Sequence, residues 1–76
     1  MRVSQAVKVV FRGAVLYGRI WDFDGGIAIV RTPAGTEVRA GRVWVHPIQD
    51  DEDMARLRGF EDDAKRAGQD YNRKEG

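Results

Sequence analysis

A mainly β domain followed by a charged helix is what the sequence predicts, and three observations carry that reading. Apolar and polar residues alternate with period two before position 48, glycine punctuates the same stretch at short intervals, and a helical period first appears after Gln49. The order gives residues 1–48 as the β unit, 49–68 as an acidic, amphipathic helical tail and 69–76 as a disordered end.

Val7, Val9 and Phe11 alternate with Lys8 and Arg12, the signature of a half-buried strand that Arg12-Gly13 ends. After a longer connection, Gly18 to Phe23 reads as the second strand, with a bulge at Trp21-Asp22 adjusting the phase so that Ile20 and Phe23 both enter the core. Asp24-Gly25-Gly26 supplies a tight hairpin, the strongest local signal in the chain. Ile27 to Arg31 returns as the third strand, Thr32-Pro33-Ala34-Gly35 turns, and Thr36 to Ala40 runs back as the fourth. Val43 to His46 is the fifth, stopped by Pro47, which lacks the donor to extend a ladder. The expected core is Val9, Phe11, Ile20, Phe23, Val30, Val38, Val43 and Val45.

Beyond Gln49, Asp50 can cap a helix whose first turn holds Asp51, Glu52 and Asp53 at its positive dipole end. Met54, Leu57, Phe60 or Glu61, Ala64 and Ala67 recur at helical spacing, and Gly68 is a stop. Asp62 with Arg66 and Glu61 with Lys65 stand four apart and can support the exposed face. Gly59 weakens the middle by about 1 kcal/mol relative to alanine.

Five short strands with tight later connections and a brief corner before the last resemble SH3-like barrels of the Tudor and KOW kind. The resemblance covers residues 6–48 and rests on Val9 and Phe11, Gly18-Arg19-Ile20, Asp24-Gly25-Gly26, Gly35 to Val38, and Val45 to Ile48. It implies an architecture rather than a specific family. Gly18-Arg19-Ile20 and Val43 to Pro47 also look faintly like strands of plasmid-type dihydrofolate reductases, but Trp44 and His46 stand where that family places Gln and Tyr, and no catalytic residue carries over.

At 76 residues the chain buries little apolar surface, and with no cysteine and one histidine the disulfide and thiolate-metal staples are excluded. Oligomerisation remains, and a homodimer is expected. Met1 to Gln5 has no signal-peptide run and no apolar stretch reaches bilayer length, so the expected location is the cytoplasm. Ten arginines against three lysines suit a GC-rich genome, and a bacterial or phage source is expected.

No nucleophile stands near a base in sequence, and Asp22 and Asp24 belong to turn chemistry, so no enzyme, cofactor or metal is expected. The expected function is a non-catalytic protein-protein module, an adaptor or inhibitor, with Trp44, Trp21, Tyr17 and His46 as partner-binding residues. Trp44 faces outward by alternation and asks for a cover: the C-terminal helix through Met54, Leu57 and Phe60, a second copy, or an external ligand. In Tudor-like relatives, aromatics such as Tyr17 and Trp21 beside an acid such as Asp22 form cages for methylated cations, although ordinary packing explains them better here.

The alternative is sequence-independent DNA or RNA binding. Residues 1–49 carry a net charge of +4 and residues 50–76 carry −3. Arg12, Arg19, Arg31, Arg39 and Arg42 would contact phosphate, with a tryptophan as stacking platform.

Overall fold

The computed structural model describes residues 1–68, so the end expected to be disordered, 69–76, lies outside the described residues. Five antiparallel strands form one sheet in the order β4-β3-β2-β1-β5, followed by a helix. They are β1 (Ala6–Phe11), β2 (Ala14–Asp24), β3 (Ile27–Arg31), β4 (Glu37–Gly41) and β5 (Val45–Pro47), and the helix is α1 (Asp51–Arg66). β4 and β5 are the two ends of the sheet and share no ladder, so hydrogen bonding does not close it into a barrel.

The second strand starts earlier than expected. Phe11 pairs with Ala14, which leaves Arg12 and Gly13 as a two-residue hairpin with φ of +51° and +81°. Both central residues are left-handed, the geometry that matches strand twist, and only the second is a glycine. Arginine at such a position gave no turn signal, which is why a longer loop was expected. β2 then runs for 11 residues through Gly18 and serves two neighbours, β1 with its first half and β3 with its second. The expected bulge is present: Ile20 pairs with Val30 and Asp22 with Ile29, leaving Trp21 as the extra residue.

One face of the sheet is the core. Val7, Val9, Ile20, Ala28, Val30 and Val45 are buried together there, with Phe23 and Ala40 packed partly against them. Val38 is only half-buried, on edge strand β4. Two expected core members are not in the core. Val43 is 76% exposed because Arg42–Trp44 forms a turn of 3-10 helix, whose period of three breaks the alternation counted back from Val45. Phe11 is 45% exposed because it ends β1 at the hairpin, where no further strand covers it.

α1 starts as its sequence dictates. Asp50 caps it by accepting a hydrogen bond from the Glu52 amide at 2.9 Å, and three acidic residues occupy the first turn. It ends at Gly68, whose φ is +85° and whose amide donates to the Lys65 carbonyl. Leu57 and Ala64 are its buried residues. Along its surface Glu52 pairs with Arg56 and Asp63 with Arg66, and Glu61 reaches to the sheet.

Candidate interaction surfaces

On the face opposite the core, polar side chains of β1 and β2 meet the helix. Lys8 and Tyr17 are cross-strand partners, and both reach Asp53: Lys8 Nζ donates at 2.9 Å and the Tyr17 hydroxyl at 3.1 Å. Two turns along, Glu61 accepts from Arg19 Nε at 2.6 Å and from its Nη2 at 3.2 Å, a bidentate pair. Arg19 also donates to the Ser4 carbonyl, tying down the chain before β1. Phe60 lies against Tyr17 with ring centroids 6.2 Å apart. The helix therefore covers Tyr17 and Arg19 and leaves Trp44, for which it was one of three candidate covers, on the other side of the sheet.

The Asp53 cluster makes stability depend on pH. Hydrogen bonding from Lys8 holds the Asp53 carboxyl below its usual 3.8, with Tyr17 adding to the effect and burial opposing it. Lys8 is raised above 10.5 by the same hydrogen bond, and Tyr17 above 10.0, first by burial and then by its bond to Asp53. A lowered carboxyl stabilises the fold above its ordinary pKa and loses that contribution as pH falls through the lowered one. The raised Lys8 and Tyr17 contribute below their ordinary values and lose it as pH climbs through the raised ones. Asp53→Asn is expected to lower the urea midpoint at neutral pH and to flatten both limbs of its pH profile. A profile parallel to wild type would remove the cluster from the balance.

The arginines proposed for phosphate do share a face in part. Arg19 pairs directly with Arg31 across β2 and β3, and Arg39 lies on β4 on the same side as Arg31. Each has acidic or aromatic company: Arg19 meets Glu61, Arg31 stands 4.1 Å over the Trp21 ring and 3.9 Å from Glu37, and Arg39 lies between Asp24 and Glu37. Arg31 Nε is shielded from solvent without a hydrogen-bond partner. Arg42 stacks on Phe23 and Arg12 on Phe11, both away from this group. His46, exposed on β5, sits across from Lys8. Trp21 thus has Arg31 over its ring, and Tyr17 meets the helix through Asp53 and Phe60.

The remaining surface is apolar. A cleft of about 340 Å³ opens where β4 and the β1-β2 hairpin approach without pairing, lined by Val9, Phe11, Leu16, Val38, Ala40 and Trp44 among others. Trp44 meets Phe11 edge-on at 5.0 Å, and the Trp44 ring also lies against Gly41, where a Cβ would come within 3.3 Å of it. Leu16 and Val38 also line a wider groove that continues past Val15 and Pro33 to Phe60 on the helix. Phe11, Val15, Leu16, Trp44 and Phe60 are each between 43% and 51% exposed, so large apolar side chains run along both clefts. Phe11, Val15 and Leu16 were not foreseen as a surface. Their signal was the run Phe11 to Leu16, readable as a hairpin tip only once Arg12-Gly13 is recognised as a two-residue turn.

Among the described residues no group of three or more His, Asp or Glu side chains could hold a metal, and no helix is long and apolar enough to cross a membrane. No family model matches the chain, and neither a curated protein nor a solved structure matches it.

Proposed function

We propose that the chain is a small SH3-like, non-catalytic module of the cytoplasm that binds a protein partner through the cleft of Phe11, Leu16, Val38 and Trp44. The observation that carries this reading is the continuity of half-exposed aromatic and aliphatic side chains from Trp44 to Phe60. A chain with so little core gives up hydrophobic stabilisation by leaving them in water, and burying them against a partner recovers it. Aromatic residues in such a cleft are the side chains that dominate binding energy.

The arginine face supports a second reading, nucleic-acid binding, because Arg19 and Arg31 are side by side and the Arg31 Nε is shielded without an acceptor. The interleaved Glu37, Glu61 and Asp24 weigh against it, since each repels phosphate.

Peptides selected on the immobilised protein from a random display library test the first reading. Trp44→Ala and Phe11→Ala are expected to weaken the selected peptides about tenfold or more, with little salt dependence. Val43→Ala, outside the cleft, is expected to leave binding unchanged. Peptides that bind both cleft variants like wild type would overturn the assignment. So would anisotropy showing a labelled duplex or single strand bound with steep salt dependence while no peptide is selected.

A further inference from the structure

The edge of β4 carries a pattern that pairs with itself. In an antiparallel ladder the directly opposed residues alternate between pairs that exchange both backbone hydrogen bonds and pairs that exchange none. The Thr32 amide donates to the Thr36 carbonyl at 2.9 Å at one end of the β3-β4 ladder, and the Arg42 amide to the Gly26 carbonyl at 3.0 Å at the other. Stepping by two between them makes Val30 with Val38 and Ala28 with Ala40 the bonded pairs. Val38 and Ala40 thus turn their backbone groups toward β3, and Glu37 and Arg39 turn theirs outward from the sheet.

β4 lacks the usual protections of an edge. The other edge strand, β5, has three residues and ends in proline. β4 has five, with no proline and no lysine, and its two charges have opposite signs at positions two apart on one face. Their ion pairs within the chain are long and exposed: Glu37 with Arg31 at 3.9 Å, Glu37 with Arg39 at 3.8 Å, and Arg39 with Asp24 at 3.6 Å. Such pairs contribute little.

We propose that two copies of this chain pair through β4, antiparallel about a twofold axis at Val38. In this register Glu37 of each copy stands opposite Arg39 of the other, and both residues present the outward backbone groups that a bonded pair requires. Four interchain hydrogen bonds and two opposite-charge pairs form at once. Val38 meets its own copy on the apolar face, and Ala40 meets Thr36. The neighbouring registers with the correct hydrogen-bond parity place Arg39 opposite Arg39 or Glu37 opposite Glu37, and like charges directly opposed are destabilising. The charge pattern therefore selects a second copy, in one register. The inference shares Val38 and Ala40 with the cleft proposed for a peptide, but it is argued from the strand edge and its charges, and its tests read chain-to-chain pairing without a peptide.

The chain has no cysteine, so single cysteines report the register. At the axis the two Val38 residues form a non-bonded pair with Cα atoms about 4.5 Å apart, within the disulfide range. Val38→Cys is expected to form a covalent dimer under mild oxidation with the circular dichroism of wild type. Thr36→Cys and Ala40→Cys are expected to crosslink poorly alone and readily when mixed. By sedimentation, Arg39→Glu is expected to raise the dimer dissociation constant about tenfold, and Glu37→Arg with Arg39→Glu to restore it, because the double change re-creates both opposite pairs. Arg39→Pro removes a donor with no role in the β3 ladder and is expected to leave a folded monomer. Wild type sedimenting as a monomer up to about 1 mM would overturn the proposal. So would Ala40→Cys alone crosslinking as fast as Val38→Cys, or a double variant no tighter than Arg39→Glu.

Discussion

Truncation of Leu57 to alanine is expected to remove about 2–5 kcal/mol of stability, through lost burial and the cavity left behind. A domain of this length has a total of about 4–11 kcal/mol, so the variant is expected to be largely unfolded in moderate urea. Leu57 is fully buried although it belongs to a charged segment, and it lies between Asp53 and Glu61, whose carboxylates reach Lys8, Tyr17 and Arg19. With Ala64 these residues, three or four apart, make one stripe of α1, and that stripe faces the sheet. The helix is thus part of the fold, not an appendage. Phe60→Ala, at a position 51% exposed, is expected to cost much less. Urea titrations followed by tryptophan fluorescence, with both tryptophans on the sheet side, check this directly. If Leu57→Ala kept the wild-type midpoint, α1 would be a detachable tail whose loss the sheet does not register. The same contacts change how the acidic tail can be used as a tool. Deleting residues 50–76 to unmask the arginines would also uncover the surface under Leu57, so single charge changes are the cleaner probe of the nucleic-acid reading.

The sequence made the helix and the second hairpin legible because both are encoded locally. Asp50 caps, Gly68 stops, and Asp24-Gly25-Gly26 needs no tertiary context to turn. The bulge at Trp21 was legible for a related reason: Ile20 and Phe23 are three apart, and a regular strand cannot send both inward. What could not be read was wherever one residue left its period without announcing it. Arg12 adopts a left-handed conformation that its side chain does not advertise, and this hid the hairpin tip and the exposed Phe11, Val15 and Leu16. A single 3-10 turn placed Val43 in solvent. Which face the helix covers was beyond pattern alone, because Leu57 identifies an apolar stripe without naming its target. That target is fixed by pairings 36 to 45 residues apart in sequence, from Tyr17 and Arg19 to Asp53 and Glu61 and from Lys8 to Asp53. The arginine face was half legible. Neighbouring strands bring Arg19, Arg31 and Arg39 to one side, while the carboxylates among them come from the helix (Glu61), from β4 (Glu37) and from the end of β2 (Asp24).

Gly18→Ala is expected to be about as damaging as a core truncation, for the opposite reason. Gly18 sits within β2 where the strand passes from pairing with β1 to pairing with β3. A Cβ there would stand 2.4 Å from the Arg31 carbonyl oxygen and 2.9 Å from Cγ1 of Val30. The first atom is backbone at the end of β3 and the second belongs to a side chain 1% exposed, so neither can yield by turning a free side chain. Relief requires β3 to move away from β2, which strains the Arg19-Arg31 and Ile20-Val30 pairs and loosens the core beneath them. Overpacking of this kind costs about 1–3 kcal/mol or more, set against a gain below about 1 kcal/mol from restricting the unfolded chain. Destabilisation wins, and Gly18→Val should be worse still. Gly59 supplies the contrast. It lies mid-helix with nothing within 4 Å of an added Cβ, so Gly59→Ala is expected to stabilise by roughly 1 kcal/mol. Two identical substitutions with opposite signs make a sharp comparison in urea or heat. A Gly18→Ala midpoint equal to or above wild type would mean that β2 and β3 do not approach as closely as this geometry requires.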